Sequence, residues 1–71
     1  MSEQTKGERT KARILTEASS LFSEQSFDRV SVRSIAKAAS VDPALINHYF
    51  GSKEGLFAAL VETYLEPRQV E

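Results

Sequence analysis

The side chains able to do chemistry outside the chain gather in two short stretches, SVRSIAK at 31–37 and PALINHYFGSK at 43–53. Arg33 carries a planar guanidinium that matches the O6 and N7 acceptors of a guanine edge; a solvated or ion-paired surface arginine is the plain alternative. Asn47 fits the N6/N7 edge of adenine, donates to a phosphate, or is simply a helix-surface amide. Ala44 and Leu45, beside Pro43, are suited to contact thymine methyl groups. His48 is the single histidine of a chain without cysteine, so no metal site is expected. It is read either as a base-edge candidate or as a solvated ring. Tyr49 and Lys53 are phosphate candidates: a phenol donates one directed hydrogen bond, and an ammonium at a helix N-terminus joins a place already suited to anions. Ser31 and Ser52 add hydroxyl and N–H donors, a role compatible with helix capping. No nucleophile, base and orienting residue stand together, so neither a catalytic residue nor a cofactor is expected.

Such residues act together only if helices hold them on one surface. Thr5 and Glu8 have capping-box spacing and open a first helix, with Thr10 as an alternative cap. Ile14, Leu15, Ala18, Leu21 and Phe22 recur along it as an apolar stripe. SEQSFDR breaks the pattern, with Phe27 and Val30 as anchors of the connection. Ser31 caps a second helix that sends Val32, Ile35, Ala36 and Ala39 inward and Arg33, Ser34 and Lys37 outward. After Ser40-Val41, Asp42 caps a third helix with Pro43 at its first position, where a missing N–H costs nothing. Its core face is Ile46 and Phe50, which leaves Leu45, Asn47, His48 and Tyr49 more exposed. Gly51 ends it in a left-handed conformation.

Ser52 caps a fourth helix whose stripe, Leu56, Phe57, Leu60, Val61 and Tyr64, runs to Glu66-Pro67. The expected fold is all-α: a small bundle of about four helices containing a helix-turn-helix, homeodomain-like in kind. Ala36 and Ala39 let its two helices approach closely. Phe22, Ile35, Ala36, Ile46, Phe50 and Leu60 are the expected core.

A chain of 71 residues holds one domain with a small core. No apolar run approaches the ~20 residues of a membrane span, and the polar start MSEQTKGERTK lacks a signal peptide's apolar region. A cytoplasmic location and no membrane partner follow. The net charge of −1 by itself argues against nucleic acid. Its distribution does not: residues 1–13 carry +2, 14–28 carry −3, 29–53 carry +3 and 54–71 carry −3. Two basic blocks on one surface make a local field for DNA, whatever the total. An ordinary mixed surface is the alternative.

With ILTEASSLFSEQSF and SVRSIAKAASVDPALINHYFGSKEGLFAAL in place, the chain resembles the N-terminal domain of the TetR-type (tetracycline-repressor-like) transcriptional regulators over residues 9–65. The combination of IA..A.V, a helix ending in Phe and the GSKE-x-L-F break carries the resemblance. It implies sequence-specific binding of double-stranded DNA at a palindromic operator, as a repressor released by a small ligand. It places Arg33 among the positions that reach DNA, and Tyr49 and Lys53 among those that clamp its backbone. Ser26 and Ser40 stand where the family usually has glycine, and Asn47 where it more often has tyrosine.

Residues 1–71 are accordingly expected to form one DNA-binding domain. Residues 1–8 are read as a flexible arm, and 66–71 as the start of a linker to a ligand-binding, dimerising domain that the chain does not include. The fragment is expected to be monomeric and its full-length parent a homodimer. Lys6, Arg9, Lys11 and Arg13 are candidates for flanking phosphates or the minor groove. The competing class is a helical protein-interaction module anchored by Leu45 and Tyr49; an enzyme is a distant third.

Overall fold

The computed structural model describes residues 5–65, the side chains of 64 and 65 excepted. The described residues form four helices, α1 (Lys6–Glu24), α2 (Val32–Ala39), α3 (Pro43–Phe50) and α4 (Lys53–Leu65), with one 3-10 turn at Phe27–Arg29. No strand occurs among the described residues. The segments assigned from sequence to the extreme arm (1–4) and to the linker (66–71) lie outside them, as does the side chain of Tyr64.

Local chemistry accounts for each boundary. Thr5 Oγ1 accepts the Glu8 N–H at 3.1 Å while Glu8 returns a carboxylate oxygen to the Thr5 N–H at 3.0 Å, a reciprocal box that satisfies two otherwise orphan donors. Thr10 is not a cap; its hydroxyl donates back to the Lys6 carbonyl one turn earlier. Residues 6–8, read from sequence as arm, are thus the first turn of α1. Ser31 and Ser34 make a second box at the start of α2. Asp42 accepts the Ala44 N–H at 2.8 Å, with Pro43 first in α3. Ser52 Oγ accepts the Gly55 N–H at 3.0 Å at the start of α4.

Between α2 and α3 the chain reverses at Ser40, whose φ of 60° and ψ of 44° are left-handed. The Val41 N–H reaches the Ala36 carbonyl at 2.9 Å and the Ser40 N–H the Lys37 carbonyl at 3.2 Å. This is a Schellman ending built without glycine. Of the two serines at usual glycine positions, only this one bears the conformational cost: Ser26 has φ −67° and ψ 157°, which any residue adopts. Gly51 has a positive φ, as expected, but with ψ −44° it lies outside the left-handed helical well.

α1 packs on α2 and α4, and α3 packs on α2 and α4. Ile14, Ala18, Val30, Ile35, Ala36, Ala39, Ile46, Leu56 and Leu60 are the buried core. Ala36 and Ala39 lie where α2 meets its neighbours, and their size permits close approach. Phe22 and Phe50, expected inside, are half-buried. Phe22 instead joins a rim of aromatic rings, stacked on Phe27 at 5.5 Å and edge-on to Phe57 at 5.1 Å. The stripe of α4 is likewise not wholly consumed: Leu56 and Leu60 are buried, but Phe57 and Val61 keep 39% and 38% of their surface.

Candidate nucleic-acid interface

No polar or charged side chain among the described residues is buried, so every candidate for chemistry lies at or near the surface. On α3 the exposed residues are Ala44, Asn47 and His48. At about 100° per residue these three fall on one arc, roughly opposite Ile46. Ile46 is fully buried. The helix is therefore anchored by one side chain and presents its opposite face outward. Pro43 and Leu45 flank that arc, half-buried. Leu45 is thus less open than its sequence position suggests.

On α2, Arg33 and Lys37 are exposed and four residues apart, hence on one face. Ser31 is exposed, but its hydroxyl is engaged: it accepts the Ser34 N–H at 3.0 Å and lies 3.3 Å from Ser34 Oγ. Capping describes it fully in the free protein.

Tyr49 differs from expectation. It is half-buried rather than exposed, and its ring reaches across to α1. Lys11 holds its ammonium 5.8 Å from the ring centroid. A Cβ placed on Gly7 would stand 3.1 Å from the Tyr49 hydroxyl, so that hydroxyl lies close against the first turn of α1. Tyr49 therefore ties α3 to the basic first turns of α1. Arg13 makes a second, longer tie at 3.5 Å to the Ala39 carbonyl at the end of α2. The first basic block is thereby brought beside the helix-turn-helix that carries part of the second. As anchors for a partner helix, Leu45 and Tyr49 are already half consumed by the domain itself.

Lys53 departs further. Its ammonium donates to the Phe27 carbonyl at 2.8 Å and lies 4.2 Å from the centroid of the Phe27 ring. Instead of reaching freely into solvent, it closes the start of α4 onto the turn that leads into α2. Pairing across 26 positions leaves no trace in helical periodicity, and Phe27 reads from sequence only as a core anchor. Ser52, its neighbour, is half-buried and spends its hydroxyl on the Gly55 cap. No group of three or more His, Cys, Asp or Glu side chains that could hold a metal occurs among the described residues, and no described helix is long and apolar enough to cross a membrane.

The family model for bacterial regulatory proteins of the tetR family matches residues 14–60. The HTH-type transcriptional regulator UidR of Escherichia coli K12 is 38% identical over 58 residues, which is 82% of this chain and 30% of UidR. The probable HTH-type transcriptional regulator YttP of Bacillus subtilis is 44% identical over 57 residues, 80% of this chain and 28% of YttP. HbdR of Aromatoleum, named as an HTH-type transcriptional regulator, is 39% identical over 70 residues, covering 90% of this chain and 31% of the relative. The chain thus spans about a third or less of each of these relatives. No solved structure matches it.

Proposed function

The chain belongs to the tetR family of bacterial regulatory proteins, and from that premise we propose that it reads an operator in double-stranded DNA through the outward arc of α3. The domain is a non-enzymatic helix-turn-helix of DNA-binding transcription regulators. What carries the finer reading is the exposure of Ala44, Asn47 and His48 on the face opposite the fully buried Ile46. In a helix-turn-helix, that face of the second helix is the one that lies in the major groove.

In this reading Arg33, Asn47 and His48 supply polar contacts to base edges, and Pro43, Ala44 and Leu45 fill apolar space against the groove floor. Phosphates are held by Lys53 and by the free N–H donors of the α4 start, with Ser31, Tyr49 and Ser52 contributing through hydroxyl groups. The cations of α1 that lie beside Tyr49 flank the same surface. Dimerisation on a palindromic site, repression released by a small ligand and action in the cytoplasm complete this reading.

Selection of bound duplexes from a random pool, followed by titration of the enriched sequence and of unrelated DNA, tests the proposal. Enrichment of a defined motif, abolished when Asn47 and Arg33 are both replaced by alanine, is the expected result. Binding without any enriched motif would leave only a non-specific DNA-binding surface.

A further inference from the structure

The engagement of Lys53 with Phe27 adds a residue to the interface that does not itself reach DNA. We propose that Phe27 is a positioning residue for phosphate binding, holding the Lys53 ammonium in its working place before DNA arrives. The proposal rests on the reading of Lys53 as a phosphate ligand.

The geometry is specific. A lysine ammonium has three N–H donors and no acceptor. One donor goes to the Phe27 carbonyl at 2.8 Å, and the ring of the same residue covers the ammonium at 4.2 Å. That carbonyl also accepts the Val30 N–H at 3.3 Å, so the turn at Phe27–Arg29 fixes the oxygen that fixes the lysine. The ring is fixed in its own right, stacked on Phe22 and edge-on to Phe57 at 5.2 Å. One residue thus grips the cation by backbone and by side chain, with the remaining donors left over for an anion. At the same helix end, the Lys53 and Glu54 N–H groups have no acceptor among the described residues, whereas those of Gly55 and Leu56 are taken by Ser52.

A free lysine loses much rotamer freedom when it clamps a phosphate. Here most of that ordering is already present in the free domain, and preorganisation of this kind raises affinity without a new contact. Cation–π attraction survives phosphate binding because it uses the ring face rather than a donor.

The test is a double-substitution cycle in the 71-residue chain, read as binding to a random-sequence duplex across a salt series. Phe27→Leu is expected to lower affinity about two- to tenfold, the ordering cost of one long side chain written as a factor. The slope of log K against log salt should hold, because the phosphate contact is kept and only its ordering cost changes, whereas Lys53→Ala should lower it by up to about 0.9, the share of one phosphate contact. Phe27→Tyr, which keeps the ring, should restore the affinity. In a Lys53→Ala background Phe27→Leu should do nothing further.

An equal loss from Phe27→Leu with and without Lys53 would overturn the proposal. Should Phe27→Leu fail to fold, NMR of the unaltered chain decides: the Lys53 ε-methylene protons should lie upfield under the Phe27 ring, with and without duplex. Random-coil positions would overturn it. If the unaltered chain bound duplex with no salt dependence, the phosphate reading itself would fail. A salt-steep chain indifferent to Phe27 would remove only the positioning role.

Discussion

Arg33, in the first turn of α2, and Ser40, just past its end, stand seven positions apart and obey different physics. Arg33 is exposed, so its replacement by alanine leaves packing intact and removes only what the guanidinium does outside. If it reads guanine, Arg33→Ala costs about 1–3 kcal/mol at the cognate site and far less on random duplex. Titration of both DNAs separates that outcome from a uniform loss, which would make Arg33 a phosphate contact. Ser40, by contrast, acts inside the fold. Its left-handed backbone costs a residue with a Cβ about 1–2 kcal/mol, and glycine avoids this while giving back part of it as unfolded-chain entropy. Ser40→Gly is therefore expected to raise unfolding stability by about 0.5–1 kcal/mol in urea titrations. Gly51→Ala should do the reverse, since Gly51 has φ 87° and no neighbour within 4 Å. Its cost is purely conformational, at least about 1 kcal/mol.

Among the elements, the junction of α3 with α4 is the most constrained. Gly55 lies in the first turn of α4, and a Cβ there would run into the Phe50 carbonyl oxygen. Alanine is normally the better helix former by about 1 kcal/mol. Here Gly55→Ala should destabilise instead, because the obstacle is backbone and cannot rotate away. Thermal melting checks the sign, and a gain in Tm would show that the two helices can part without penalty. This junction also marks the division between what is legible in sequence and what is not. Caps such as Thr5–Glu8, Ser31 and Asp42-Pro43 act over three or four residues, so each helix start can be read directly from local residue types. Buried Ile46, Ile35 and Leu60 follow from periodicity in the same way. Exposure on α3 is legible for Asn47 and His48, which face away from Ile46. It is not legible for Tyr49, whose surroundings include Gly7 and Lys11 on another helix, nor for Lys53, whose partner is Phe27. Those contacts depend on how helices cross, and a single helix's pattern holds no record of that.

For the whole molecule, size governs both stability and binding. A domain of 71 residues has about 4–11 kcal/mol of stability at ordinary per-residue values, and Ile46→Ala alone removes about 2–5. The same smallness limits self-association. A stable interface buries about 800 Å² per partner, whereas the large apolar side chains left exposed among the described residues are Phe57 and Val61, each with under two fifths of its surface open. The 71-residue chain is therefore expected to sediment as a monomer at micromolar concentration. In the proposed mode a monomer places one α3 in one major groove, while helix-turn-helix dimers set two recognition helices about 34–36 Å apart in successive grooves. Tethering two copies makes the second docking intramolecular and can raise affinity by about 10²–10⁴ without any new contact. Joining two chains by a flexible linker long enough for that span should tighten binding to a two-half-site duplex by a factor in this range. A duplex with one half-site should show little change. Nanomolar binding to a single half-site by the untethered chain would mean that one copy of this surface suffices, and that the face around α3 contacts more DNA than one short helix can reach.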